Sequence, residues 1–181
     1  MHVTLRAREG LPPLRDRTIF PEMREAIRAA SRSPAVGSGF RVVQFSVQDD
    51  HVHLIVEAHD ADDLGRGVQG LAIRLARAIN RVLVASGKVW GDRYHARDLR
   101  TPREVRAAIV YVLMNAKKHL RRAAKDAIDE LSSAPWFDGF RPGDAAPCPP
   151  LDEPPVVLAR TWLGAIGWRR CGLVRIDEAP A

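Results

Sequence analysis

The chain has 181 residues, with 28 Lys and Arg against 22 Asp and Glu, which gives a formal net charge of +6 and an isoelectric point near 10.0. This length predicts one domain of about 100–150 residues plus appendages, and the 46% hydrophobic and 28% charged residues exclude wholesale disorder and a fibrous chain. No apolar run approaches the roughly 18 residues that a membrane span needs, and neither a secretory signal nor a Cys-x-x-Cys pair is present, so we expect a cytoplasmic protein with no membrane partner and no zinc ribbon.

The first part of the chain alternates strand and helix patterns. Residues 2–8 alternate apolar and polar side chains, which is typical of a half-buried strand. Apolar residues then recur at spacings of three and four from residue 19 until Ser33-Pro34, which predicts a helix. The Val- and Phe-rich runs 40–47 and 51–58 are separated by Asp49-Asp50, and we expect two neighbouring antiparallel strands there.

Helical patterns dominate the second part. An apolar stripe follows Asp62 and Asp63 and predicts a second helix that ends before Ser86-Gly87. Residues 89–99 favour a short strand. Thr101-Pro102-Arg103-Glu104 has the pattern of a capping box with proline at the first helical position, so a third helix begins there. Its predicted buried stripe consists of Val105, Ala108, Ile109, Val112 and Ala116.

The order strand, helix, strand, strand, helix, strand predicts an α+β fold, a ferredoxin-like split βαβ sheet with helices on one face. The third helix is added behind this unit, and the domain is expected to span residues 1–125. Seven of the thirteen prolines fall between residues 132 and 155, which predicts an extended connector over 126–155. Residues 156–181 form a C-terminal tail in which a short docking helix is expected.

His51-Val52-His53 begins the third predicted strand. Because side chains alternate across a strand, both imidazoles lie on one face while Val52 lies on the other. Two converging imidazoles can hold a divalent metal, although a His-x-His pair is also common at an exposed strand end. Glu57 and His59 continue the same face. Glu57 is either an additional ligand or, as we expect, a solvated carboxylate, and His59 is expected at the surface.

Tyr111 lies in the middle of the third helix, and Asn115 follows one turn later on the same side. A tyrosine on an otherwise apolar helix is usually a core or rim residue with its hydroxyl in contact with water. Tyr94, the other of the two tyrosines in the chain, is interpreted as a packing residue. The neighbouring His95 is expected at the surface.

Basic side chains flank these residues. The densest stretch contains Lys117, Lys118, Arg121 and Arg122, which either complement a helix C-terminus or hold a phosphate backbone. Arg93 and Arg97 on the fourth predicted strand are further candidates for phosphate contact. With the net positive charge, this pattern favours a nucleic-acid partner.

Four segments, His2-Val-Thr-Leu-Arg-Ala, His51-Val-His-Leu-Ile-Val-Glu, Val89-Trp-Gly-Asp-Arg-Tyr-His and Tyr111-Val-Leu-Met-Asn, occur in this order. Together they resemble REP-associated tyrosine transposases, relatives of the insertion-sequence 200/605-type single-tyrosine HUH transposases. The likeness covers residues 1–125 and, more loosely, Ala159-Arg-Thr-Trp-Leu and Gly167-Trp-Arg-Arg in the tail.

The resemblance implies metal-dependent cleavage and joining of single-stranded or hairpin DNA. It assigns Tyr111 as the nucleophile that forms a 5′-phosphotyrosine, with Tyr94 as the rival candidate. It also assigns His51, His53 and Asn115 as ligands of Mg²⁺ or Mn²⁺. Insertion-sequence relatives work as dimers and repeat-associated ones as monomers, so the resemblance implies either a monomer or a homodimer for this chain. Many carry glutamine at the Asn115 position, so the shorter amide here is a departure.

Two other functions compete with this one. A noncatalytic nucleic-acid-binding protein derived from such a transposase would keep the fold and the charge. A histidine-triad nucleotide hydrolase would need a third histidine two residues after His53, where Ile55 stands.

Overall fold

The structure is a computed structural model that describes residues 1–32, 39–119, 127–143 and 150–180, with the side chains of residues 117–119 left out. The strands are β1 (His2–Arg6), β2 (Phe40–Val47), β3 (His51–Ala58) and β4 (His95–Arg97). The α-helices are α1 (Ile19–Arg32), α2 (Ala61–Val82), α3 (Pro102–His119) and α4 (Trp162–Ala165). Short 3₁₀ helices occupy Ala134–Trp136 and Gly167–Cys171.

The four strands form one antiparallel sheet in the order β2-β3-β1-β4. Together with the alternation of strands and helices, this order confirms the ferredoxin-like α+β fold. Strands β3 and β1 occupy the two central positions, so their side chains are held by neighbours on both sides. A bulge at Val43 shifts the alternation of β2, and both Val42 before it and Phe45 after it therefore face the same core.

Helices α1 and α2 cover one face of the sheet. They bury the alternate residues Val52, Leu54 and Val56 of β3 in a first hydrophobic cluster. Asp60 caps α2 by accepting a hydrogen bond from the backbone N–H of Asp63 at 2.7 Å. The predicted boundaries of both helices agree with the structure to within a few residues.

Helix α3 packs on the opposite face, where Ile55 of β3 joins a second hydrophobic cluster. The predicted capping box is present: the Thr101 hydroxyl accepts from the Glu104 N–H at 3.2 Å, and the Glu104 carboxylate accepts from the Thr101 N–H at 3.0 Å. All five residues of the predicted stripe are buried. Burial extends further around the helix to Val110, Leu113 and Met114.

A short strand was predicted within residues 89–99, and the structure has one there that covers only three of these residues. Only His95–Arg97 pairs continuously with β1, and Trp90 makes a single bridge to Ala7. The indole N–H of Trp90 donates to the Ala72 carbonyl of α2 at 2.8 Å. This hydrogen bond places Trp90 against α2, and the chain then returns to the sheet as β4.

The predicted extended connector packs closely where the structure describes it. Ser132 and Ser133 are fully buried, and the Ser133 N–H donates to the Phe45 carbonyl of β2 at 2.9 Å. The Val47 N–H in turn donates to the Leu131 carbonyl at 2.9 Å. This segment therefore covers the outer edge of β2, which would otherwise present unpaired backbone groups.

The tail contains the four-residue helix α4, which buries none of its side chains, followed by the 3₁₀ helix Gly167–Cys171, which carries Trp168. Trp168, which is 2% exposed, inserts into the second cluster beside α3 and stacks on Phe137 with 5.6 Å between ring centroids. Every helix in the described ranges is too short or too polar to span a bilayer.

Candidate active site

The second face of the sheet carries polar side chains in rows across β3, β1 and β4. One row pairs His53 with Thr4 and Thr4 with His95, and the next pairs His2 with Arg97. His51 lies opposite Arg6 at the end of β3. Because β1 and β3 are the central strands, the backbones of His2, Thr4 and His53 are held by a neighbouring strand on each side.

The two histidines of the His-x-His pair converge as their alternation predicts. The His51 Nε2 and the His53 Nε2 lie 2.9 Å apart, and the ring centroids are separated by 4.5 Å. His53 is only 4% exposed, whereas His51 remains partly exposed to solvent. The His51 Nδ1 lies 2.6 Å from the Asp50 carboxylate, which fixes the orientation of that ring.

Tyr111 of α3 lies directly against His53 of this pair. Its ring centroid is 5.0 Å from that of His53, with an angle of 74° between the ring planes. The structure therefore brings the phenol on the third helix and the two imidazoles on the central strand together at one place. Edge-to-face packing of this kind holds the tyrosine ring in one orientation.

Asn115 lies one helical turn beyond Tyr111 and is fully buried. Both side-chain amide atoms are buried without a hydrogen-bond partner among the residues that the structure describes. A buried amide without partners costs about 1–3 kcal/mol, so its retention suggests a ligand.

His2 belongs to the same group, although the sequence pattern alone did not single it out. Its Nε2 lies 3.2 Å from the His53 Nδ1, and its ring centroid is 5.7 Å from that of Tyr111. Burial, assisted by the positive charge of Arg97, lowers the pKa of His2 to about 4. The ring is therefore neutral at neutral pH. The alternation of β1 puts His2 on the same face as Thr4, and the register between β1 and β3 then brings that face to His53.

The structure describes only some of the basic residues that were predicted to contact DNA. Arg97 lines a cavity of about 400 Å³ together with His2 and Tyr111, so it lies at the site. Arg93 is exposed in the turn before β4. The side chains of Lys117 and Lys118, and the whole of Arg121 and Arg122, lie outside the described residues.

Tyr94 and His95 do not join the histidine pair. Tyr94 is half-buried and packs against the first hydrophobic cluster, which is on the opposite face of the sheet from His53. His95 is exposed on the edge strand β4. The packing role predicted for Tyr94 and the surface position predicted for His95 both agree with the structure.

The sequence model of the family described as "Transposase IS200 like" matches residues 11–113, which is more than half of the chain. The chain belongs to the IS200-like transposase family. This membership supports DNA processing of the transposase type. No match was found among curated proteins.

A solved structure with the same fold as this IS200-like transposase is described as "Structure of the REP associates tyrosine transposase bound to a REP hairpin". The two chains are 19% identical, the TM-score is 0.57, and the match covers 73% of this chain and 74% of the other. At this identity the likeness establishes the fold.

Glu57 of the IS200-like transposase is not the solvated carboxylate that its position suggested. Its side chain is 12% exposed and accepts hydrogen bonds from the backbone N–H groups of Arg160 and Thr161 at 2.7 and 3.0 Å. Glu57 therefore anchors the C-terminal tail to β3 and is not available to the histidine pair.

A second group of metal-ligating side chains in this transposase lies at the start of α2. His59, Asp60 and Asp63 bring their ligand atoms within 4.8 Å of one another. However, Asp60 caps the helix, and Asp63 pairs with Arg66 at 2.7 Å. Since both carboxylates already have these structural roles, the group is explained without a metal.

Proposed function

We propose that this chain cleaves and rejoins single-stranded or hairpin DNA through a 5′-phosphotyrosine at Tyr111. The observation that carries the proposal is the separation of 5.0 Å between the ring centroids of Tyr111 and His53, beside His51. A phosphate held near the two imidazoles would then be within reach of the phenol oxygen. Membership of the IS200-like transposase family supports the same reaction class.

In this reaction the Tyr111 phenol oxygen forms a bond to the scissile phosphorus, and the bond between phosphorus and the 3′ oxygen breaks. The proton lost by the phenol is balanced by the proton gained by the departing 3′ oxygen. One phosphodiester is exchanged for another, so no water and no energy source is consumed. A different 3′-hydroxyl can reverse the attack, which joins two strands and regenerates the free tyrosine.

The residues present fit a divalent cation, Mg²⁺ or Mn²⁺, held by His51, His53 and Asn115. Two imidazole nitrogens converge at 2.9 Å, and the amide of Asn115 is buried without a partner among the described residues. When bound, the ion would polarise the phosphate and stabilise its developing negative charge. The short amide of Asn115 reaches less far than the glutamine found in many relatives.

DNA would be held by the basic residues that surround the site. Arg97 is the best supported, since it lines the same cavity as Tyr111. Arg93, Lys117, Lys118, Arg121 and Arg122 are proposed from their positions in the sequence. The solved REP-associated transposase is bound to a REP hairpin, and this supports hairpin DNA as a substrate.

A covalent trapping experiment with two matched variants tests the proposal. The full chain is incubated with Mn²⁺ and a labelled single-stranded hairpin, and the adduct is resolved under denaturing conditions. We expect an adduct with the wild type and with Tyr94→Phe, because Tyr94 faces the other cluster. Tyr111→Phe should abolish it.

An adduct that survives Tyr111→Phe and disappears in Tyr94→Phe would overturn the assignment of the nucleophile. Salt-sensitive DNA binding without an adduct under Mg²⁺ or Mn²⁺ would overturn the enzymatic proposal. That second result would favour the noncatalytic nucleic-acid-binding alternative.

A further inference from the structure

We propose that His2 is a positioning residue that fixes the His53 imidazole in the tautomer able to hold a cation together with His51. The inference rests on the proposed function, because it concerns the same metal site. It adds a third histidine, from a different strand, whose side chain contacts His53 on the nitrogen that faces away from His51.

The sheet register brings His2 into contact with His53. Thr4 lies directly opposite His53, and His2 lies two residues further along β1 on the same face. The His2 Nε2 and the Thr4 hydroxyl are each 3.2 Å from the His53 Nδ1. The His2 ring also packs edge-on to Tyr111, so the ring is held between the two functional groups.

The positions of the protons decide what His2 does. A neutral imidazole carries one proton, and a ring that binds a cation through Nε2 must carry that proton on Nδ1. For His51 the acceptor of this proton is the Asp50 carboxylate, 2.6 Å from Nδ1. For His53, two of the atoms near Nδ1 are the Nε2 of His2 and the hydroxyl of Thr4.

These two neighbours are not equivalent. A hydroxyl can donate as well as accept, so Thr4 alone allows the His53 proton to lie on either nitrogen. When His2 carries its own proton on Nδ1, its Nε2 presents a lone pair that is more basic than a hydroxyl oxygen and accepts from the His53 Nδ1–H. This favours the His53 tautomer whose Nε2 lone pair points toward His51. Outer partners of this kind typically change metal affinity by about 10–100-fold.

The test measures Mn²⁺ binding to the full chain without DNA, by electron paramagnetic resonance. We expect His2→Ala to weaken Mn²⁺ binding by about 10–100-fold and His2→Gln, whose amide oxygen is an acceptor, to recover most of that loss. Thr4→Val is the matched control for the second neighbour and should change the affinity by less than about threefold. Thermal unfolding of each variant checks that it is folded.

A second measurement does not depend on affinity. Long-range ¹H–¹⁵N spectra of the Mg²⁺-saturated wild type should assign the proton of His53 to Nδ1, whereas His2→Ala should give a mixture of tautomers. A residue that only filled space would leave this tautomer unchanged.

The outcomes separate the inference from the function on which it rests. If His51→Ala loses Mn²⁺ binding while His2→Ala keeps both the affinity and the tautomer of the wild type, the role of His2 is overturned and the metal site stands. If the wild type binds no Mn²⁺, or if His51→Ala binds it as well as the wild type, the proposed metal site itself fails, and the role of His2 fails with it.

Discussion

At the scale of single residues, Asn115 is the position where stability and function are expected to oppose each other. Its amide is fully buried and has no hydrogen-bond partner among the described residues. Leucine has the same number and branching of side-chain heavy atoms as asparagine, and none of them is polar. We therefore expect Asn115→Leu to raise the free energy of unfolding by about 1 kcal/mol, since a buried unpaired amide is removed.

The same substitution should abolish Mn²⁺ binding and adduct formation. Urea unfolding followed by circular dichroism, together with the Mn²⁺ titration, measures both effects on one protein. A leucine variant that is destabilised by several kcal/mol would show instead that the amide has a structural partner. A leucine variant that binds Mn²⁺ normally would remove Asn115 from the ligand set.

The residues of the site differ in how far the sequence could predict them. His51 and His53 are close together in the sequence and on one face of one strand, so alternation alone predicts their convergence. His2 is 51 positions away from His53, and its contact depends on the register between β1 and β3. No local pattern contains that register, which is why His2 was not predicted as a site residue.

At the scale of elements, the capping box determines where α3 begins and so supports the helix that carries Tyr111. The Thr101 hydroxyl satisfies the Glu104 N–H, one of the free donors of the first turn. Thr101→Ala should lower the free energy of unfolding by about 1 kcal/mol. The neighbouring exposed residue Arg103 gives a control, since Arg103→Ala should change stability by less than about 0.5 kcal/mol. Equal effects in urea unfolding would contradict a capping role for Thr101.

Elements defined by local signals were predicted well, and those defined by tertiary contacts were not. The boundaries of β2, β3 and α3 follow from periodicity and capping residues in the sequence itself. By contrast, β4 is three residues long and exists only where β1 offers a partner. Residues 131–133 lie in the stretch that was predicted to be an extended connector, yet they pair with β2 because its outer edge is open.

At the scale of the whole molecule, two hydrophobic clusters on opposite faces of the sheet hold the fold together, and the tail contributes to the second. The predicted division into residues 1–125, 126–155 and 156–181 stays a proposal. Trp168 supplies the largest tail side chain in the second cluster, and its indole N–H donates to the Gly164 carbonyl at 3.0 Å. The tail therefore packs against the helix that carries Tyr111.

Replacing Trp168 tests how much the tail contributes to stability. Trp168→Ala should lower the free energy of unfolding by about 3–5 kcal/mol, because a buried indole leaves a cavity beside α3. Trp162, which is 49% exposed, is the matched control, and Trp162→Ala should cost about 1 kcal/mol or less. Urea unfolding measures both variants. A similar cost for the two would mean that the tail does not depend on the second cluster.

The net charge of +6 predicts that DNA binding depends strongly on salt, and the site predicts which residues cause this dependence. For single-stranded DNA, each neutralised phosphate contributes about −0.7 to the slope of log affinity against log salt concentration. Arg97 lies at the cavity beside Tyr111, so Arg97→Gln should reduce that slope by about 0.7. Arg66, paired with Asp63 on the far face of the sheet, is the control, and Arg66→Gln should leave the slope unchanged. If Arg66→Gln reduced the slope and Arg97→Gln did not, the DNA would have to cross the α1 and α2 face, and the position proposed for it beside Tyr111 would be wrong.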